Sequence, residues 1–288
     1  MQRLKRFIRA NRLAIRWRIR AEPTRWTNPD AYRFFADLMT HGYHPDALID
    51  IVPDYRLIYV GVPKAASSTI KRSLSTLTAS KTEELQALHT RGQSGLLSPS
   101  AFGVTEFYKL ATAPDTLRFS FVRNPYERLV SCWADKFQGR PLVGGDPFVN
   151  VYLAYRHVTD RALPHGRDAV LPFPVFVEMA IATCLMRIDP HWSLQDDLID
   201  MPGIALDLIG KAENFERDYA RVLAHVGAGK ADGHGASKTA ADNANASTMN
   251  SSKRSKCRDY FDDALAKRVY RAYERDFDRF AYPAALPE

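Results

Sequence analysis

The chain has little cysteine and no long hydrophobic run. Its 288 residues include three cysteines, Cys132, Cys184 and Cys257, which are far apart and form no Cys-x-x-Cys pair. Scattered cysteines in odd number argue against a disulfide framework, and the absent pair argues against a cysteine metal site. Charges interrupt every apolar stretch of residues 1–26, so the sequence predicts neither a signal peptide nor a membrane span there. The scattered cysteines and the lack of a predicted signal peptide favour a location in the reducing cytoplasm.

Acidic residues are scarce at the amino end. Residues 1–26 hold nine Lys and Arg residues against one acid, Glu22, and the whole chain carries a net charge of +7. We define residues 1–27 as the basic N-terminal arm. Its spacing of apolar residues is typical of a basic amphipathic helix, which lies either solvated at the edge of a domain or on an anionic membrane. The sequence favours the first interpretation and leaves the second open.

Strands and helices alternate along residues 28–288, which we predict to be one domain. Each predicted strand is a short apolar run, and the three runs are Leu57–Val60, Leu117–Val122 and Leu206–Ala212. A helix follows each strand, over Ser67 to about Leu77, Pro125 to about Phe137, and Phe215–Val226. This order predicts an α/β fold with a central parallel sheet flanked by helices.

Three further segments complete the prediction. Gly139–Pro174 is rich in Pro and Gly and is predicted to be irregular, and a helix is predicted over Phe173–Ile188. Residues 227–256 contain almost no large apolar residue and are predicted to form a flexible insert. Apolar residues at three- and four-residue steps predict a packed helix over about Asp259–Phe280.

Two segments have the same layout of buried strand, tight turn and helix start. They are Tyr55–Lys71 and Leu117–Ser131. The start of a helix presents backbone N–H groups and the positive end of the helix dipole, which together favour a phosphate. Two such turns predict a ligand with two separated anionic ends.

The first turn lacks the lysine of nucleotide kinases. Gly61 fits the opening glycine of the pattern GxxxxGK[ST], but Ala66 and Ser67 stand where that pattern has its second Gly and its Lys. The lysine of this loop lies earlier, at Lys64, so the loop suits a 5′-phosphate better than a metal-bound triphosphate. Two alternatives stay open: a P-loop kinase acting on a small molecule, and a basic nucleic-acid-binding protein, although the chain has no known reader motif.

Pro63–Thr69 resembles the 5′-phosphosulfate loop of carbohydrate sulfotransferases, and Phe121–Ser131 is similar to their 3′-phosphate motif. Asp189–Gln195 resembles a third segment of this family, with Leu194 in place of a proline. The resemblance covers about residues 50–283 and is closest to the group of chondroitin 4-O- and HNK-1 sulfotransferases, here of a bacterial type. It implies a P-loop-like three-layer fold.

The resemblance also implies a reaction. The co-substrate would be 3′-phosphoadenosine 5′-phosphosulfate (PAPS), the acceptor a hydroxyl of a carbohydrate or glycolipid, and no metal would be needed. Lys64 would contact the 5′-phosphosulfate, and Arg123 and Ser131 would bind the 3′-phosphate. The residues implied to surround the 5′-phosphate are Ala65, Ala66, Ser67, Ser68 and Thr69.

The acceptor hydroxyl must lose a proton, which calls for a general base. His89 is our first candidate, because related sulfotransferases have a base histidine between the two phosphate motifs. His191 is the second candidate, although a hydrogen-bonded structural role is favoured for it, and Glu106 and Glu83 are weaker ones. Arg128 is predicted to be a structural or surface ion-pair residue, which is favoured over a contact with the cofactor.

The resemblance implies a saccharide or glycolipid acceptor, and no nucleic acid is expected as a partner. The basic composition of residues 1–26, which lie outside the resemblance, leaves open a peripheral contact with an anionic membrane. The expected location is the cytoplasm, peripheral to the inner face of the membrane.

Overall fold

The computed structural model describes residues 17–78, 93–159, 163–166, 168–228 and 257–287. The predictions for His89, Glu83, residues 1–16 and most of the 227–256 insert therefore lie outside the described residues. The helices are α1 (Thr24–Thr27), α2 (Pro29–Leu38), α3 (Pro45–Leu48), α4 (Ser67–Ser75), α5 (Val104–Thr112), α6 (Pro125–Lys136), α7 (Pro147–Val158), α8 (Phe173–Thr183), α9 (Gln195–Ile199), α10 (Phe215–Ala228), α11 (Asp263–Ala272) and α12 (Glu274–Arg279). The strands are β1 (Ile49–Val52), β2 (Leu57–Val60), β3 (Leu117–Val122) and β4 (Leu208–Lys211).

The four strands form one sheet in the order β1-β2-β3-β4. β2 pairs parallel with β3, placing Leu57 opposite Leu117, whereas β1 pairs antiparallel with β2. The predicted α/β fold with a mostly parallel sheet flanked by helices is confirmed. The edge strand β1 was missed by the sequence analysis, since Asp50 and Pro53 make this segment look like a turn.

The chain divides into two compact units. The first consists of Met1–Gly61, Ala66–Phe121 and Leu198–Asn250, and the second of Val62–Ala65, Val122–Asp197 and Ser251–Glu288. The first unit contains the sheet, and α4 and α10 pack on one face of it through apolar residues. This core includes Tyr59, Ile70, Leu74, Phe119, Phe121, Phe215, Tyr219 and Val222.

Both faces of β2 are buried, as a strand within a parallel sheet requires. All four of its residues are 0% exposed, although their side chains alternate between the two faces. The uninterrupted apolar run Leu57–Val60 therefore reflects coverage of the sheet on both sides.

The second unit is helical and has a core of its own. Its buried residues come from α6, α7, α8, α11 and α12 and from the turns beside them. They include Tyr126, Leu129, Phe137, Tyr152, Phe176, Trp192, Phe261 and Phe277. No described helix of the chain is long and apolar enough to cross a bilayer.

Three sequence predictions need correction here. Gly139–Pro174 is not irregular throughout, because α7 begins at Pro147, capped by the Asp146 carboxylate, which accepts from the Phe148 N–H at 2.8 Å. α8 ends at Thr183 rather than Ile188. The carboxy-terminal helix is divided in two at Tyr273.

Candidate functional site

The loop after β2 bends sharply at two residues. Lys64 and Ala66 have φ angles of 70° and 60°, in the left-handed region that residues with a Cβ seldom adopt. The Lys64 ammonium forms an ion pair with Asp135 of α6, and its side chain is only 15% exposed. Burial lowers the pKa of Lys64, and the contact with Asp135 offsets part of that effect. The strained backbone and the ion pair together fix the direction of the Lys64 side chain.

Asp135 contacts two ammonium groups. Its Oδ2 lies 2.8 Å from the Lys136 Nζ and also accepts from Lys64. Burial acts to raise the pKa of Asp135, but the hydrogen bonds from Lys136 and Lys64 lower it to about 2. The carboxylate is therefore charged at every physiological pH and holds both cations near the carboxy end of α6.

Arg123 lies two residues before α6 and is almost fully buried. Its Nε and Nη2 donate to Glu127 Oε2 at 3.1 and 2.8 Å, and its side chain is 6% exposed. Pro125 and the Asn124 cap begin the helix, with the Tyr126 N–H donating to Asn124 Oδ1 at 3.0 Å. This start at Pro125 confirms the helix boundary predicted from the sequence.

The backbone of Arg123 is held by a buried amide. The Arg123 N–H donates to Gln195 Oε1 at 2.8 Å, and Gln195 Nε2 donates to the Arg123 carbonyl at 2.7 Å. Asp276 accepts from the backbone N–H groups of Gln195 and Asp196 at 2.9 Å each. Burial raises the pKa of Asp276 against the opposing effect of these hydrogen bonds. These hydrogen bonds fix the backbone position of Arg123, which directly follows β3.

Three polar residues lie on one face of α6. Glu127, Ser131 and Asp135 follow one another at four-residue steps, which places them in one row along the helix. Two turns of helix separate Glu127 from Asp135 by about 12 Å. Arg123 contacts one end of this row and Lys64 the other, with Ser131 between them. The second unit thus brings together three of the predicted site residues.

Arg128 projects from α6 into the interior and is 1% exposed. Its Nε donates to the Pro63 carbonyl at 3.0 Å, Nη1 to the Ser193 carbonyl at 2.7 Å, and Nη2 to the Pro190 carbonyl at 2.6 Å. One guanidinium therefore joins the loop that carries Lys64 to residues 190–193. The prediction that Arg128 is structural is confirmed by these backbone contacts.

The remaining predicted loop residues lie along the chain between the end of β2 and the first turn of α4. Ala65 is buried in the second unit. Ala66 precedes α4 in the first unit and supplies no side-chain cap. The first turn of α4 is made of half-buried polar residues, Ser67, Ser68 and Thr69. Their roles in binding phosphate stay predictions.

The four candidate bases differ in their surroundings. His89 and Glu83 lie outside the described residues. Glu106 accepts from the Gly103 N–H at 3.1 Å, which is the capping of α5. His191 Nδ1 lies 2.7 Å from Asp189 Oδ1, and its ring meets that of Phe148 edge to face with centroids 5.0 Å apart. Burial lowers the pKa of His191, while Asp189 opposes that shift.

Several residues of this arrangement were missed by sequence reasoning. Glu127 and Asp135 carried a usable signal, because their spacing from Ser131 places them on one helical face. Gln195 lies in the segment that resembles the family, but its contact with Arg123, 72 residues away, has no local sequence signal. The contact of Asp276 with Gln195, 81 residues away, has none either. Within the described part of the chain, no group of His, Cys, Asp and Glu residues is arranged to hold a metal ion.

Comparisons with known proteins identify a family for this chain. A model described as "Sulfotransferase family" matches residues 48–283. Carbohydrate sulfotransferase 11 of Danio rerio is 31% identical over 187 residues, which cover 61% of this chain and 52% of that protein. Carbohydrate sulfotransferase 8 of Mus musculus is 34% identical over 172 residues, covering 57% of this chain and 40% of that protein.

A longer alignment is weaker. Carbohydrate sulfotransferase 10 of Danio rerio is 24% identical over 253 residues, covering 82% of this chain and 66% of that protein. The chain spans about half the length of the first of these curated relatives. No solved structure matches the chain.

Proposed function

The chain belongs to the sulfotransferase family, and we propose that it transfers a sulfuryl group from PAPS to a hydroxyl of a carbohydrate or glycolipid. The names of the similar proteins support a carbohydrate acceptor. The observation that carries the proposal is the placement of Lys64 and Arg123 at the two ends of one row on α6.

This placement suits a nucleotide with phosphate at both its 5′ and its 3′ positions. Arg123 offers a planar fork of N–H donors, which matches phosphate oxygens better than an ammonium does. Lys64 offers a point charge that neutralises the negative charge developing on the leaving 5′-phosphate as the S–O bond breaks. The Ser131 hydroxyl lies between them on the same helical face.

Both cations form ion pairs with carboxylates, Asp135 and Glu127. A bound phosphate competes with these carboxylates for the same N–H donors. Before a ligand binds, these ion pairs hold the Lys64 and Arg123 side chains against α6, so less side-chain entropy is lost on binding.

The competing functions find no support in the comparisons. A P-loop kinase would need a lysine where Ser67 stands, and its activity would depend on Mg²⁺. A nucleic-acid-binding protein would bind any duplex with steep salt dependence. We propose a cytoplasmic location, peripheral to an anionic membrane, for the transferase.

Thermal unfolding with three ligands separates these functions. Adenosine 3′,5′-bisphosphate, ATP with Mg²⁺, and duplex DNA are added in turn to the full chain. A ligand at about 100 times its Kd stabilises the folded state by about 2.7 kcal/mol, which appears as a rise in Tm. We expect the bisphosphate to give the largest rise, whereas a larger rise with ATP–Mg²⁺ or DNA would refute the proposal.

Two variants and two controls locate the binding. Lys64→Ala and Arg123→Ala are expected to abolish transfer of ³⁵S from labelled PAPS to cell-envelope glycans. Lys267→Ala and Arg271→Ala change exposed basic residues of α11 and should leave transfer unchanged. Equal transfer by all four variants would show that Lys64 and Arg123 do not contact the co-substrate.

A further inference from the structure

The residue before Lys64 and the residue before His191 are hydrogen bonded to the same guanidinium. Arg128 donates to the carbonyl of Pro63 and to the carbonyl of Pro190. Because one planar guanidinium binds both carbonyls, Lys64 and His191 leave the backbone at neighbouring points. The His191 side chain is 23% exposed, so part of it lies at the surface.

The imidazole of His191 is fixed in one tautomer. Asp189 Oδ1 accepts from the His191 backbone N–H at 2.9 Å and lies 2.7 Å from Nδ1. A carboxylate only accepts hydrogen bonds, so Nδ1 carries the proton and donates it. In the neutral ring Nε2 is then the acceptor, and within the described residues no hydrogen bond reaches it.

The plane of the ring is fixed as well. The Phe148 ring stands at 87° to the imidazole, and the Lys136 ammonium lies 4.7 Å from the centroid of the same Phe148 ring. Lys136 in turn pairs with Asp135, the partner of Lys64. A chain of contacts thus runs from the imidazole of His191 to the ammonium of Lys64.

We propose that His191 is the general base of the reaction, with Asp189 as its positioning residue. This inference rests on the proposed transfer from PAPS and adds to it the group that activates the acceptor. The acceptor hydroxyl gives its proton to His191 Nε2 while its oxygen forms a bond to sulfur. The bond between sulfur and the 5′-phosphate oxygen breaks, its electron pair stays on that phosphate beside Lys64, and the imidazolium later releases its proton to water.

The charges around the ring agree with this role. Burial lowers the pKa of His191, so the ring is neutral and able to accept a proton at neutral pH. Asp189 raises the pKa, whereas Lys64 and Lys136 lower it. Asp189 also stabilises the imidazolium that forms, as the carboxylate of a catalytic triad does.

The test compares three histidine variants of the full chain. His191→Ala removes the proposed base, His89→Ala removes the base predicted from sequence, and His157→Ala changes an exposed histidine of α7 as the control. Each is assayed for ³⁵S transfer from labelled PAPS to cell-envelope glycans and for the Tm rise with adenosine 3′,5′-bisphosphate. Since a general base contributes about 10²–10⁴-fold, we expect His191→Ala to lower kcat by at least about 10²-fold with the Tm rise retained.

Two readings distinguish a base from a structural histidine. Imidazole added to His191→Ala should restore part of the turnover. Asp189→Asn should move the low-pH limb of kcat to lower pH, because loss of the carboxylate lowers the pKa of His191 and keeps the ring neutral at lower pH. A structural role predicts neither effect.

The outcomes of the inference and of the proposed function can be told apart. Wild-type protein that neither binds the bisphosphate nor transfers sulfur refutes the proposed function. Wild-type protein that transfers, together with His191→Ala at a kcat within about tenfold of it, refutes the base assignment alone. Loss of turnover in His89→Ala with normal turnover in His191→Ala would assign the base to His89 instead.

Discussion

At the scale of single residues, Arg128 connects three carbonyl groups of the second unit. It sits on α6 at 1% exposure and donates to the carbonyls of Pro63, Pro190 and Ser193. These carbonyls lie 62 to 65 residues away in the chain, so Arg128 holds distant segments together. The candidate site depends on this buried guanidinium even though Arg128 has no assigned contact with substrate.

Replacing Arg128 with lysine should destabilise the protein. A single ammonium cannot reproduce three bonds from a planar fork, and each charge-assisted bond lost costs about 1.5–3 kcal/mol. We expect Arg128→Lys to lower the free energy of unfolding by about 2–4 kcal/mol in urea titrations. Arg271→Lys, on the surface of α11, should change it by less than about 0.5 kcal/mol, and equal stability of the two variants would contradict the bracing role.

At the scale of secondary structure, α6 organises the site. It begins one residue after Asn124, which caps it, and its row of Glu127, Ser131 and Asp135 receives Arg123 and Lys64. α2 begins in the same manner, with the Ala31 N–H donating to Asn28 Oδ1 at 3.1 Å. The chain therefore provides two matched caps, of which only one adjoins the site.

The two caps give a controlled test. Asn124→Ala and Asn28→Ala should each cost about 1 kcal/mol of unfolding free energy, because each leaves a helix N–H without its side-chain acceptor. Only Asn124→Ala should also weaken binding of adenosine 3′,5′-bisphosphate, since Arg123 precedes that cap directly. Titration calorimetry measures the Kd, and equal Kd values for both variants would show that the start of α6 does not position Arg123.

At the scale of the whole molecule, charge is unevenly distributed along the chain. The net charge is +7, and the first 26 residues carry nine basic side chains against one acidic one. The described end of this arm is partly buried, because Trp17 is 2% exposed and packs against Phe35 at 4.9 Å. Ile19 and Trp26 are 64% and 83% exposed. Basic residues next to exposed apolar ones favour contact with an anionic bilayer.

Charge removal rather than truncation tests this contact, because truncation through residue 26 would delete the buried Trp17. Changing Arg3, Arg6, Arg9 and Arg12 to Gln should lower binding to phosphatidylglycerol vesicles, by about 1 kcal/mol for each basic residue near the surface. Cosedimentation measures it, with phosphatidylcholine vesicles as the reference. A control variant changes four exposed basic residues elsewhere, Arg140, Arg258, Lys267 and Arg271. Equal losses in both variants would show that the arm has no special role.

The sequence by itself determined the sheet strands β2 and β3, the starts of α4 and α6, and the candidates Lys64 and Arg123. These features are local: an apolar run, a turn and the start of a helix lie within 15 to 17 consecutive residues. It missed α7, because the Pro and Gly residues flanking Pro147–Val158 indicated a loop.

Only the tertiary structure decided which residues surround the candidates. Asp135 reaches Lys64 across 71 residues, and Gln195 reaches Arg123 across 72. Packing of the second unit also brought Asp189 and His191 beside the Lys64 loop through Arg128. Such contacts cannot be read from the order of residues along the chain. They form when helices pack through their apolar faces, because the polar groups buried by that packing need hydrogen-bond partners.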